Sequence, residues 1–249
     1  MEIFMERTTL TEACFEAFTK EIDLQRVSGL DDVASVKLLN GEDGGGIRVY
    51  KGDKNVKVTL VDFKLGEGVP VPHHDNRLCV GAEIFQISPD LTYKLPAWGI
   101  NSVIMKDGHY YFDTDFSFGY DLVTDYDFVM KYIVPFNETY QKYTQDPAFR
   151  MVTYYESTPW VRTYVSPLFF TAIAKTNKLE SVYNLAADFI RLWIAMFNDA
   201  EQGDQSLKES QSERLKAKNA GSKNSDRMGK VLFGAYGKET FGKFFKAMT

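Results

Sequence analysis

Gly99-Ile100-Asn101-Ser102-Val103-Ile104-Met105-Lys106-Asp107-Gly108-His109-Tyr110-Tyr111-Phe112-Asp113-Thr114-Asp115-Phe116 decides the fold class. Large apolar residues alternate with others on both sides of Lys106-Asp107-Gly108, and that tripeptide has the chemistry of a tight hairpin turn. The stretch therefore reads as two antiparallel strands, Gly99 to Met105 and His109 to Phe116. The same alternation runs through Ile47 to Tyr50, Val56 to Phe63 and Cys79 to Ile87. With Val33 to Leu39 added, the reading predicts about six strands in an antiparallel meander. Gly44-Gly45-Gly46 lacks the spacing and the Lys-Ser/Thr end of a phosphate cradle and is read as a flexible hairpin loop.

Helices flank this block. Thr9-Leu10-Thr11-Glu12 is a capping box, and Cys14, Phe15, Phe18 and Ile22 follow at helical spacing, so a helix is expected from about Thr9 to Leu24. Asp125 to Tyr143 reads as helix with a break near Pro135, and Ser166-Pro167 as the first turn of another. Leu179, Val182, Tyr183, Ala186, Phe189, Ile190, Trp193 and Phe197 form one apolar stripe, which makes residues 179–200 a core helix. Residues 202–225 are polar and form either a mobile loop or an exposed helix, and a last helix runs from about Asp226 to Lys246. The expected fold is α+β, a central antiparallel sheet sandwiched between helical layers in a single domain over residues 1–249, with 202–225 as a flexible polar loop.

Composition narrows the function classes. The chain has 29 Lys and Arg against 34 Asp and Glu, a net charge of -5, which disfavours a general nucleic-acid binder. Its mean hydropathy of -0.28 and lack of a long apolar run exclude a membrane span from the reading. Cys14 and Cys79 have no metal-type or redox spacing, and the first residues do not resemble a signal peptide, so a cytoplasmic monomer without a bound metal is expected. Charge is uneven: from Gly203 onward ten Lys and Arg face five acids, which suits either plain solvation or an acidic partner.

Several acids lie on the strands. Alternation places Glu83 on one face with Cys79, Phe85 and Ile87, where apolar surroundings would raise its pKa as a proton donor requires, unless the side chain reaches an edge and water. Asp113 and Asp115 share a face with His109 and Tyr111, and that face either lines a pocket or meets solvent. His73-His74-Asp75 is the one His-rich spot, and its spacing is poor for chelating a single metal. No nucleophile elbow occurs.

Ordered stretches of the chain resemble the ferredoxin-dependent bilin reductases and the related red chlorophyll catabolite reductases. Ile87 through Leu95-Pro96-Ala97-Trp98-Gly99 to Asn101 is similar to the family's strand, proline loop and aromatic-Gly turn before a strand bearing a catalytic Asp; that position is Asn101 here. Asp115 to Val123 and Tyr164-Val165-Ser166-Pro167-Leu168-Phe169-Phe170 resemble elements of the chlorophyll catabolite reductases. Lys223 to Val231, followed by Tyr236-Gly237-Lys238-Glu239, resembles the helix that opens on a substrate-contacting acid. The resemblance implies ferredoxin-dependent reduction of an open-chain tetrapyrrole, biliverdin or dihydrobiliverdin, by alternating electron and proton transfers. It implies Asp226 as proton donor, Arg227 as a propionate contact and Asn101 as an orienting residue. It also implies ferredoxin as external electron donor, with no cofactor bound in the protein. A chlorophyll-derived linear tetrapyrrole as substrate, or a carrier that binds pigment without reducing it, are the alternatives. Asn101 is the feature that keeps the carrier reading open, because an amide is no ordinary proton donor.

Overall fold

The computed structural model describes residues 8–71, 77–152, 159–225 and 228–248. Nine strands form one antiparallel sheet among these residues: β1 (Leu24–Arg26), β2 (Val36–Lys37), β3 (Asp43–Gly52), β4 (Lys57–Val71), β5 (Arg77–Ser88), β6 (Ala97–Met105), β7 (His109–Ser117), β8 (Phe149–Met151) and β9 (Phe170–Lys175). Their order is β1-β3-β4-β5-β6-β7-β9-β8, with β2 paired to β3. The helices are α1 (Leu10–Thr19), α2 (Asp31–Ala34), α3 (Tyr126–Phe128), α4 (Val134–Thr144), α5 (Leu179–Asp199), α6 (Gln205–Ser225) and α7 (Met228–Met248).

The sandwich forms because each sheet face carries its own apolar set. Val58, Leu60, Phe85, Ile87, Trp98, Ile100 and Phe112 pack under α1, α4 and α5; Ile47, Val61, Phe63, Cys79 and Met105 pack under α2 and α7. Helix α5 buries ten residues, Phe189 and Trp193 among them, and at roughly 1.5–3 kcal/mol per large side chain it is a principal tie of the first layer. Lys54 reaches the far end of α5, where its Nζ donates to the carbonyls of Phe197 at 2.6 Å and Ala200 at 2.9 Å. The capping box at Thr9 and Glu12 is formed as expected.

Five expectations need correction. The sheet has nine strands rather than six, because short edge strands of two or three residues carry no readable alternation. Helix α1 stops at Thr19, and Leu24 belongs to β1; likewise residues 33–39 are split between α2 and β2. Gly44 to Gly46 lie within β3, where they permit close backbone approach: a Cβ on Gly45, at φ +80°, would sit 1.8 Å from the Asp62 carbonyl oxygen. Ser166-Pro167 begins a turn, not a helix; the Ser166 Oγ accepts the Leu168 N–H at 3.0 Å and the chain enters β9. Of the two readings of the polar stretch, the helix is the one found: residues 205–225 form α6. The break near Pro135 is present as a π turn over Val129–Ile133, which accommodates the missing proline donor.

Candidate active site

Antiparallel register brings the strand acids together on the α7 side of the sheet. Ile84, Asn101, Asp113 and Thr171 stand in one row across β5, β6, β7 and β9, and Gln86, Gly99 and Asp115 in the next. Helix α7 covers the β3 and β4 end of this face, packing Leu232, Tyr236 and Phe244 on Ile47, Val61 and Phe63. Beyond it Asn101 is exposed and Gln86, Gly99, Asp113 and Thr171 are half-buried, while Lys218 of α6 lies over Asp115, whose side chain is 15% exposed. Gly99 leaves a flat spot between Gln86 and Asp115, since even an added Cβ would approach no atom nearer than 3.5 Å.

Asn101 Nδ2 donates to Asp113 Oδ1 at 2.9 Å. Burial pushes the Asp113 carboxyl from 3.8 up to about 6; the Asn101 hydrogen bond opposes the rise and the neighbouring Asp115 charge adds to it. Asp115 is raised too, chiefly by burial, and is restrained by Lys218 Nζ at 3.6 Å and by the Ser166 N–H at 3.2 Å from both its oxygens. A carboxyl raised to about 6 beside a second one that burial also raises can hold or release a proton at the floor. Past Ser166 the floor runs into a depression of about 410 Å³ lined by Arg162, Val165, Ser166, Pro167 and Phe169.

Glu83 lies on the opposite face. It is 3% exposed and accepts the Leu10 N–H and the Tyr110 hydroxyl, each at 2.9 Å, so its carboxylate holds the positive end of α1. A register shift between Cys79 and Gly81 explains why Glu83 does not share a face with Cys79 as plain alternation suggests: Cys79 packs in the α7 layer and Phe85 in the α5 layer. Asp226, Arg227 and the His73-His74-Asp75 stretch lie outside the described residues. Of the site residues expected from sequence, the structure thus places Asn101 at the floor, and it joins it to Asp113 and Asp115, whose shared face alternation had revealed. Lys218 and Ser166 were missed, because their reach to Asp115 is long-range and no local pattern announces it.

Among the described residues no group of three His, Cys, Asp or Glu is placed to hold a metal ion, and no helix is long and apolar enough to cross a membrane. Both cysteines are buried free thiols; burial raises Cys14 well above its ordinary value and Cys79 to about 11.

No protein-family model matches the chain, and no curated protein matches it. Among solved structures it is similar to phytochromobilin synthase from tomato, determined in complex with biliverdin: the TM-score is 0.71 at 13% sequence identity, over 92% of this chain and 76% of that one. At that identity the likeness speaks for the fold, a mixed α+β sandwich around a large antiparallel sheet that this chain shares with phytochromobilin synthase.

Proposed function

We propose that this chain reduces an open-chain tetrapyrrole, biliverdin or dihydrobiliverdin, with ferredoxin as the external source of single electrons. The observation that carries the reading is the Asp113–Asn101 pair, a carboxyl raised to about 6 and held at 2.9 Å on an accessible polar floor. The fold shared with a protein solved with biliverdin supports it. Reduction of one double bond takes two electrons and two protons, so the protein must hold a flat pigment and supply protons at chosen carbons. The floor suits a planar ligand at Gly99.

Asp113 supplies one proton. With a pKa of about 6, about one molecule in ten carries it at neutral pH, and a pigment that displaces water raises the fraction. Asn101 spends one amide N–H on Asp113 and keeps its carbonyl and second N–H for lactam or pyrrole groups. In this reading Asp226, just ahead of α7, is a second donor and Arg227 a propionate contact, as the sequence resemblance implies. The basic C-terminal segment attracts acidic ferredoxin. The chemistry needs no cofactor resident in the protein.

Anaerobic incubation with biliverdin, ferredoxin and a reducing system tests the reading. Loss of the long-wavelength pigment band, with a reduced product on chromatography, is expected. A stable complex whose band persists would instead make the chain a pigment carrier.

A further inference from the structure

Among its described side chains, helix α6 is held to the domain mainly by polar contacts. Between Gln205 and Ala220 the one fully buried side chain is Gln211, while Leu207 and Leu215 are half-buried and Ala217 and Ala220 exposed. Helix α5, of the same 21 residues, buries ten. Gln211 Nε2 donates to the carbonyls of Leu91 at 2.9 Å and Tyr93 at 2.8 Å, its side chain lies against Gly119, and its Oε1 has no partner. One turn on, Arg214 stands 4.0 Å from Asp121; a further turn on, Lys218 stands 3.6 Å from Asp115.

Positions 211, 214 and 218 fall at i, i+3 and i+7, so the three anchors form one face of the helix. Gln211 and the Lys218–Asp115 pair are largely buried, yet three polar anchors contribute less net stability than an apolar seam such as that of α5, because each trades against hydrogen bonds to water when the helix lifts. The last anchor lands on Asp115, two residues along β7 from Asp113. At the other end the Gly203 N–H donates to the Thr92 carbonyl at 2.7 Å and Gln202 bridges to Tyr93, which ties down the segment before α6. We propose that α6 is a polar latch whose Gln211-to-Lys218 face lifts away with the sheet still folded, and so uncovers the Asp115 end of the floor to an incoming ligand.

Hydrogen–deuterium exchange of the full chain tests this in the wild type, Gln211→Glu and Lys218→Met. Gln211→Glu keeps the shape but faces two carbonyl oxygens with a carboxylate. Amides of residues 205–218 should then exchange about tenfold faster while those of β5 to β7 keep the wild-type rate. Lys218→Met, and about 1 M sodium chloride on the wild type, should each give a smaller acceleration confined to α6. Unchanged α6 exchange in both variants, or equal acceleration of α6 and the sheet, would overturn the latch; if Gln211→Glu does not fold, Lys218→Met decides alone. Ligand entry rests on the tetrapyrrole reading, and biliverdin should associate faster with the released variants. Association at the wild-type rate would refute the gating role, whereas biliverdin binding to neither protein would refute the pigment reading and leave the exchange result to decide the latch.

Discussion

Replacing Asp113 with Asn removes the titrating carboxyl and keeps its shape, which isolates the charge from the packing. Moving that carboxyl from 3.8 to about 6 disfavours its ionised form by about 3 kcal/mol relative to an ordinary aspartate. The unfolded chain releases the proton near the lower value and the folded chain near the higher, so between them the folded state binds more protons. Stability from this group is therefore complete below about pH 4 and is lost as pH rises through about 6. Asp113→Asn should be more stable than the wild type at pH 7, by up to about 3 kcal/mol. Its stability should fall less steeply over the acid range, the residual slope belonging partly to the raised Asp115. Urea titrations of both proteins at a series of pH values from about 4 to 8 measure the difference directly. A difference that is constant with pH would refute the assignment of a near-neutral pKa to Asp113. With pigment and ferredoxin the same variant should bind but stall, because an amide has no acidic proton to give.

Asn101→Asp places a second carboxyl where a 2.9 Å hydrogen bond now runs, so the pair should share one proton and lose stability above neutral pH; chromatography should show a changed product ratio, and an unchanged product with a lower melting temperature would confine Asn101 to structure. Gly45→Ala should cost more than about 3 kcal/mol, read as loss of soluble folded protein, since the new Cβ meets the Asp62 carbonyl and the backbone is left-handed there. Lys54→Met should lower stability by about 1–2 kcal/mol in urea titrations, because two carbonyls at the end of α5 lose their donor; no loss would mean that water replaces the lysine fully.

The hairpin through Lys106-Asp107-Gly108 was legible because side-chain alternation and turn chemistry are local properties, and the structure keeps Gly108 at φ +82° as such a turn requires. The α5 stripe was legible for the same reason, since its period of 3.6 matches the buried face it forms. Local pattern fails where tertiary contact decides: the glycines of β3 signal a loop until Asp62 and Ala34 are seen pressed against them. The register shift between Cys79 and Gly81 puts Cys79 on the other face, while Glu83 keeps its place with Phe85 and Ile87. At the site, the common face of Asp113 and Asp115 could be read from alternation. The pairing of Asp113 with Asn101 needed the β6–β7 register, and the Lys218–Asp115 contact needed the path of α6 over more than a hundred residues.

If the floor around Asp113 receives the pigment, a crystal structure of this chain with biliverdin will show the pigment lying flat over Gly99, with its ring nitrogens or lactam oxygens within hydrogen-bond distance of Asp113 and Asn101. Pigment seated instead on the opposite helical layer, in the groove of about 420 Å³ lined by Tyr132, Phe136 and Leu192, would contradict it.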